Sequence, residues 1–307
     1  MKAFTALLFL AAFSFLAQAK PKSLRPLNIA VPAVPQNTTE EWHPNMAARI
    51  PGPKYFPVFK NDTKSEPDHR ITNGEPAKRG QFPWQVAIIS DLSYFCGGSL
   101  ISDTWVLTAA HCTYNRTKFV VILGIVSLTE PESQIVVQET VNNIVHSGYN
   151  DTNANNDIAL IRLPVPVDFS LYISSVRLPS RSQLTTDFVG QTVRISGWGR
   201  VSDLIQDLSN TLQYADMPVI ANSQCIETFH ELITSTKICV STDDKRSPCN
   251  GDSGGPLVIQ EDDGRYTEIG IASFVHVYGC ESRFPAVFTR VTGFLDWIEK
   301  NTGIVIV

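Results

Sequence analysis

The sequence predicts an all-β fold that ends in a helix, and three observations carry that expectation. From Ile71 onward the apolar runs are short and alternate with polar residues. Gly, Pro, Asn and Asp break those runs at close intervals, as turns require. Clear helical spacing is confined to the C-terminal end.

Taken in order, the strand candidates are Gln85–Ser90, Trp105–Leu107, Phe119–Leu123, Thr192–Ser196 and Ile269–Ser273. Each is rich in Val, Ile or aromatic residues and too short for an amphipathic helix. A short helix is expected over Ser223 to Glu231. At the end, Phe294, Trp297 and Ile298 follow i, i+3, i+4 spacing, and Thr292 stands where it could cap a helix over 292–302. No internal repeat of fixed period is present.

The chain changes character near residue 70. Lys2 followed by the apolar run from Ala3 to Ala17 and the small residues of Ala17-Gln18-Ala19 reads as a cleaved secretory signal over 1–19. The run is shorter than the ~20 apolar residues that a membrane span needs, so the product is expected outside the cell and not in a membrane. Residues 20–70 hold nine of the 19 prolines and no cysteine, the composition of an extended leader. The leader carries a net charge of +3 and the remainder from Ile71 carries −9. It could therefore lie on the acidic part or be a solvated linker. The whole chain has a net charge of −5 without a basic stripe, which excludes an electrostatic nucleic-acid reader.

Export changes how the six cysteines read. Cys96, Cys112, Cys225, Cys239, Cys249 and Cys280 are an even set outside the reducing cytosol, so disulfides are expected. Fifteen pairings are open on spacing alone. No C-x-x-C spacing occurs, and no metal or other cofactor is expected. N-x-S/T sequons at Asn37, Asn61, Asn115 and Asn150 are glycosylation candidates.

The string GDSGGP at 251–256 is the sharpest chemical signal. Glycines around Ser253 let backbone N–H groups converge on one point, which a developing oxyanion needs. A serine is a poor nucleophile without a base, and the base needs an orienting partner. His111 follows a strand candidate in TAAHC at 108–112, and Asp157 opens the apolar run NDIAL at 156–160.

Together with Ile71-Thr72-Asn73-Gly74, GWG at 197–199 and Ser273-Phe274, these strings resemble the chymotrypsin-like (trypsin-fold) serine protease family, of the elastase and chymotrypsin type, with loops similar to arthropod members. The resemblance runs from Ile71 to about Asn301 with the order His, Asp, Ser. It implies two six-stranded antiparallel β-barrels, about 71–185 and 186–290, with the C-terminal helix behind, in a protease domain of 71–307. It implies that Ser253 attacks a peptide carbonyl, that His111 carries the proton and that Asp157 orients the ring. The N–H groups of Gly251 and Ser253 would form the oxyanion hole, with Ser273 supporting Asp157. The implied disulfides are Cys96–Cys112, Cys225–Cys239 and Cys249–Cys280.

The same resemblance makes Arg70-Ile71 an activation point, with residues 20–70 as an activation propeptide. Cleavage would free an ammonium on Ile71 for Asp252, the cut being made by a trypsin-like protease. The specificity pocket maps to Ser247, Val275 and Ala286. Without an acid at Ser247 and with a β-branched Val275 in the slot, cleavage after small to medium apolar residues is expected, as in elastases. A preference for Leu or Phe is the alternative, because Ala286 leaves depth; a third reading is a non-catalytic homologue that binds other proteins. Asn250 lies at the pocket rim. Ile125 replaces the acidic ligand of calcium-binding members, so no calcium site is expected there. Partners implied are protein or peptide substrates and serpins or substrate-mimicking inhibitors, acting on a monomer.

Overall fold

The computed structural model describes residues 71–72, 74–205 and 207–307. The signal, the leader with Asn37 and Asn61, and Arg70 lie outside the described residues. Fourteen strands are found among the described residues. In chain order they are β1 (Glu75–Pro76), β2 (Gln85–Ser90), β3 (Tyr94–Leu100), β4 (Trp105–Thr108), β5 (Phe119–Leu123), β6 (Val136–Thr140) and β7 (Asn143–Val145). Then follow β8 (Ala159–Arg162), β9 (Thr192–Gly197), β10 (Gln213–Ile220), β11 (Lys237–Val240), β12 (Pro256–Gln260), β13 (Tyr266–Phe274) and β14 (Ala286–Arg290). Two helices, α1 (Asn222–Phe229) and α2 (Leu295–Thr302), complete the set, and neither is long enough or apolar enough to cross a membrane.

The strands form two antiparallel sheets, one in the order β6-β5-β2-β3-β4-β8-β7, the other β1-β10-β11-β14-β13-β12-β9 with β9 returning to β10. Each counts seven strands where six are expected, and both differences have a physical source. In the first sheet β6 and β7 are separated by only Val141 and Asn142, so one bending strand pairs with β5 at one end and β8 at the other. In the second, six strands close on themselves and the two-residue β1 is added at the edge of β10.

The barrel boundaries shift accordingly. The segment at 71–76 belongs to the second sheet and not to the first: Ile71 is fully buried in the second barrel's core with Val193, Met217 and Phe288, and Thr72 bridges to Ser247. The first core, built on Val86, Ile88, Leu107, Val121 and Leu160, instead takes in Phe294, Leu295 and Ile298 of the C-terminal helical segment. That segment begins with a 3-10 turn over Val291–Phe294. Thr292 is buried within the turn and its hydroxyl bonds to nothing, so it is not a cap. Helical spacing marked the apolar stripe correctly, whereas Thr292 lies inside the 3-10 turn that precedes α2 and not at its start.

Candidate active site

His111 sits in a 3-10 turn (Ala110–Cys112) directly after β4, and Asp157 directly precedes β8. Because β4 and β8 are paired antiparallel, with Thr108 opposite Ala159, the two residues are brought to the same end of the first sheet. Asp157 is fully buried. Its Oδ1 accepts from the His111 backbone N–H at 3.0 Å, and its Oδ2 lies 2.8 Å from His111 Nδ1. Ser273, at the end of β13 in the other sheet, donates its hydroxyl to the same Oδ2 at 2.6 Å. Thr289 of β14 donates to the Asp157 carbonyl at 2.9 Å.

Burial by itself would raise the Asp157 pKa. The neighbouring His111 ring, with the hydrogen bonds from that ring, from Ser273 and from the His111 N–H, outweighs it and holds the carboxyl below its usual range. An ionised Asp157 therefore keeps a proton on Nδ1 and leaves the other ring nitrogen as a base.

Ser253 is held at the seam between the barrels. Its carbonyl accepts from Gly97 N–H of β3 at 2.8 Å, and Cys112 Sγ, next after His111, lies 3.6 Å from the same oxygen. The turn following it requires glycine. Gly254 has φ of +79°, and a Cβ there would stand 2.2 Å from Thr108 Oγ1 and 2.6 Å from the Gly97 carbonyl. The N–H groups of Asp252, Gly254 and Gly255 go to the carbonyls of Cys249, Ala272 and Asp252. Among the described residues no acceptor is paired with the N–H groups of Gly251 and Ser253.

Asp252 is fully buried and receives Gly199 N–H at 2.7 Å and Cys249 N–H at 2.9 Å. Desolvation raises its pKa to about 7 against those two bonds. The carboxylate occupies the space beside GWG, for a Cβ on Gly199 would stand 2.2 Å from Asp252 Oδ2. The segment from Ile71 reaches the same loop, since Thr72 Oγ1 donates to the Lys245 carbonyl at 2.8 Å and to that of Ser247 at 3.3 Å.

Ser247 is buried with its hydroxyl on the Pro248 carbonyl. Ala286 is fully buried, and the half-buried Val275 packs against the core cluster that contains Ala286. Asn250 is exposed and its carbonyl accepts from Arg200 N–H. Asn115 and Asn150 are exposed, as a glycan requires. The structure contains the disulfides Cys96–Cys112, Cys225–Cys239 and Cys249–Cys280. Two clusters, Cys96, His111 and Cys112, and Asp203, Cys249 and Cys280, have ligand atoms close enough to share a metal. In each, two of the three are disulfide sulfurs, which lack the thiolate that binds zinc. Ile125 is buried, and the loop beyond it is clasped by Arg79, which pairs with Glu132 and donates to the Gly124 carbonyl.

Sequence reasoning missed two buried charged residues at this seam. Glu268 of β13 accepts from Ser99 of β3 at 2.5 Å, and desolvation lifts its pKa to about 8. Lys237 of β11 is fully buried and bonds to the Ala154 carbonyl. Lys237 stands in the four-residue β11 and Glu268 in the nine-residue β13, and in both strands consecutive residues are buried, so alternation gives no cue.

Two closed barrels with a buried carboxylate–histidine pair and a glycine-flanked serine at their seam define a hydrolase of the Ser-His-Asp class. The trypsin family model matches residues 71–298, and the chain belongs to the trypsin family of serine proteases. Brachyurin from Leptuca pugilator is 42% identical over 236 residues, covering 76% of this chain and 99% of that protein. Serine protease 1 from Drosophila melanogaster is 43% identical over 237 residues, covering 76% of this chain and 86% of that protein. The solved structure of HL collagenase matches with a TM-score of 0.70 at 39% identity, covering 76% of this chain and 99% of the other. The protein is thus a serine endopeptidase, and its substrates are proteins or peptides.

Proposed function

We propose that the chain is exported as a precursor, is switched on by a cut at Arg70-Ile71, and then cleaves after small to medium apolar residues. The observation that carries the catalytic part is the hub at Asp157, which joins His111 from one barrel to Ser273 of the other beside Ser253. Ser253 Oγ attacks the scissile carbonyl while His111 takes its proton and then returns it to the leaving amine, the division of labour general to Ser-His-Asp proteases. Asp157 stabilises the imidazolium, and the N–H groups of Gly251 and Ser253 receive the oxyanion.

Activation is supported by the seating of 71–72 against the loop 245–252. An ammonium created on the buried Ile71 would offer the buried Asp252 a counter-charge, without which its ionised form is costly. That pairing would fix the Gly251 to Ser253 turn. Because the pocket lacks an acid for Arg, self-cleavage at Arg70 is disfavoured and a trypsin-like activator is required.

The preference rests on the neutral, buried Ser247 and on Val275 narrowing the slot above Ala286. The buried methyl of Ala286 is what favours the second reading, Leu or Phe. Trypsin-activated protein should hydrolyse a peptide library varied at the residue before the scissile bond, with Ser253→Ala as the blank. Preference for Ala and Val supports the elastase-like reading, preference for Phe replaces it with the chymotrypsin-like one, and activity equal to the blank defeats both.

A further inference from the structure

The ammonium of Lys237 is buried at the barrel seam, on the far side of Ser273 from the triad. Of its three donors, one meets the Ala154 carbonyl and another lies 3.5 Å from Ser273 Oγ, which itself donates to Asp157 Oδ2. The Phe274 ring, with its centroid 5.4 Å away, covers part of the remaining surface. Lys237, Ser273, Asp157 and His111 therefore form one file of alternating charge and dipole. The segment it grips leads straight into Asp157, and Ala154 takes a left-handed φ of +52° there.

We propose that Lys237 is a positioning residue for catalysis: its charge acts on His111 through Ser273 and Asp157 and supports the ring as the general base. The coupling is electrostatic and presupposes the protease reading above. A cation behind Asp157 disfavours a second positive charge on the imidazole, so the general base stays available in mildly acid solution. Lys237 must be charged there to act, and burial pulls its pKa down to about 8 while Asp157 opposes the shift. It is therefore an ammonium throughout the pH range in which a histidine titrates.

The other groups around it do not substitute for this charge. Arg290 of β14 spends its guanidinium on the Lys237 and Thr186 carbonyls, and burial lowers its pKa while Asp187 opposes. From α1, Asn222 reaches the Lys237 carbonyl with a neutral amide. Tyr149 and Tyr94 feel the Asp157 charge, yet burial pushes both phenols above their ordinary value, so they are neutral in this range.

The test is the pH profile of kcat/KM for activated parent, Lys237→Met and Lys237→Gln. Met keeps the packed stem without charge, and Gln keeps a donor without charge. In both, the acid limb should move to higher pH by about 0.5–1 unit. Activity at the alkaline plateau reports whether the site is intact. Parent hydrolysis with an unmoved limb in either variant overturns the assignment and leaves the protease reading standing. Parent activity no higher than Ser253→Ala defeats both. The parent gives an independent readout that needs no variant: the low-field proton shared by His111 and Asp157 should shift in its NMR spectrum as Lys237 titrates near pH 8. A resonance that stays fixed through that interval also overturns the assignment.

Discussion

Glu268 offers the sharpest test of how the barrels are held together. It is fully buried, it bridges from β13 to Ser99 of β3, and its second carboxyl oxygen bonds to nothing. Burial lifts its pKa from 4.5 to about 8. At about 1.4 kcal/mol per pKa unit, forcing a charge at this site costs on the order of 5 kcal/mol. The sign follows from proton counting. Between the unfolded and folded values the native state holds a proton that the unfolded chain has released, so stability falls as pH rises. From pH 5 to pH 8 the loss due to Glu268 alone should be about 4 kcal/mol.

Glu268→Gln removes the ionisation while keeping an acceptor for Ser99, and so mimics the protonated acid. Guanidinium unfolding followed by tryptophan fluorescence, with disulfides intact and on a Ser253→Ala background to prevent self-digestion, should give similar stabilities at pH 5. By pH 8 the Gln variant should be the more stable by about 4 kcal/mol. Other groups titrate in both proteins and cancel in the difference. Parallel stability curves across this range would refute the claim that a protonated carboxylic acid joins the barrels.

Asp252→Asn should leave folding intact yet cut kcat by about 10²–10³ after trypsin treatment, because the oxyanion turn is no longer fixed; full activity by active-site titration would contradict the activation scheme. The uncut Ser253→Ala chain should lose stability as pH rises from about 4 towards 7, because burial has raised the Asp252 pKa, and the cut chain should lose less. Calorimetry of the two forms across that window reads the difference. Val275→Gly should raise kcat/KM for Phe over Ala by about tenfold or more in the same peptide library. Arg79→Ala should unfasten the loop around Glu132 and lower stability by about 1–2 kcal/mol, measured by chemical unfolding.

Much of this architecture is legible in the chain, and the reasons differ by element. GDSGGP, TAAHC and NDIAL could be read because their chemistry fixes backbone geometry. Gly254 cannot take a side chain against Thr108 and Gly97, and Asp157 must stand at a strand mouth to meet His111. The barrel to which 71–76 belongs could not be read, because Ile71 and Thr72 look like any strand start. Their place is decided by contacts with Val193 and Ser247, far along the chain. Thr292 misled for a related reason: spacing does not show that a 3-10 turn starting at Val291 leads into α2, which places Thr292 inside the turn with its side chain in the core.

Lys237 and Glu268 mark where local reasoning must fail. A buried lysine or glutamate violates the pattern of the strand that carries it, and nothing within a few residues offsets the cost. For Lys237 the offset comes from Ala154 across the seam and from Ser273 of its own barrel, and for Glu268 it comes from Ser99 across the seam. The interiors of the two barrels are apolar, while Asp157, Lys237 and Glu268 each bond from one barrel to the other. A seam closed by hydrophobic residues alone would be more stable at neutral pH, but it would not hold the His111 side and the Ser253 side in one orientation. Directional bonds between buried polar groups do, and the stability they cost is concentrated where two rigid halves must meet to form a catalytic cleft.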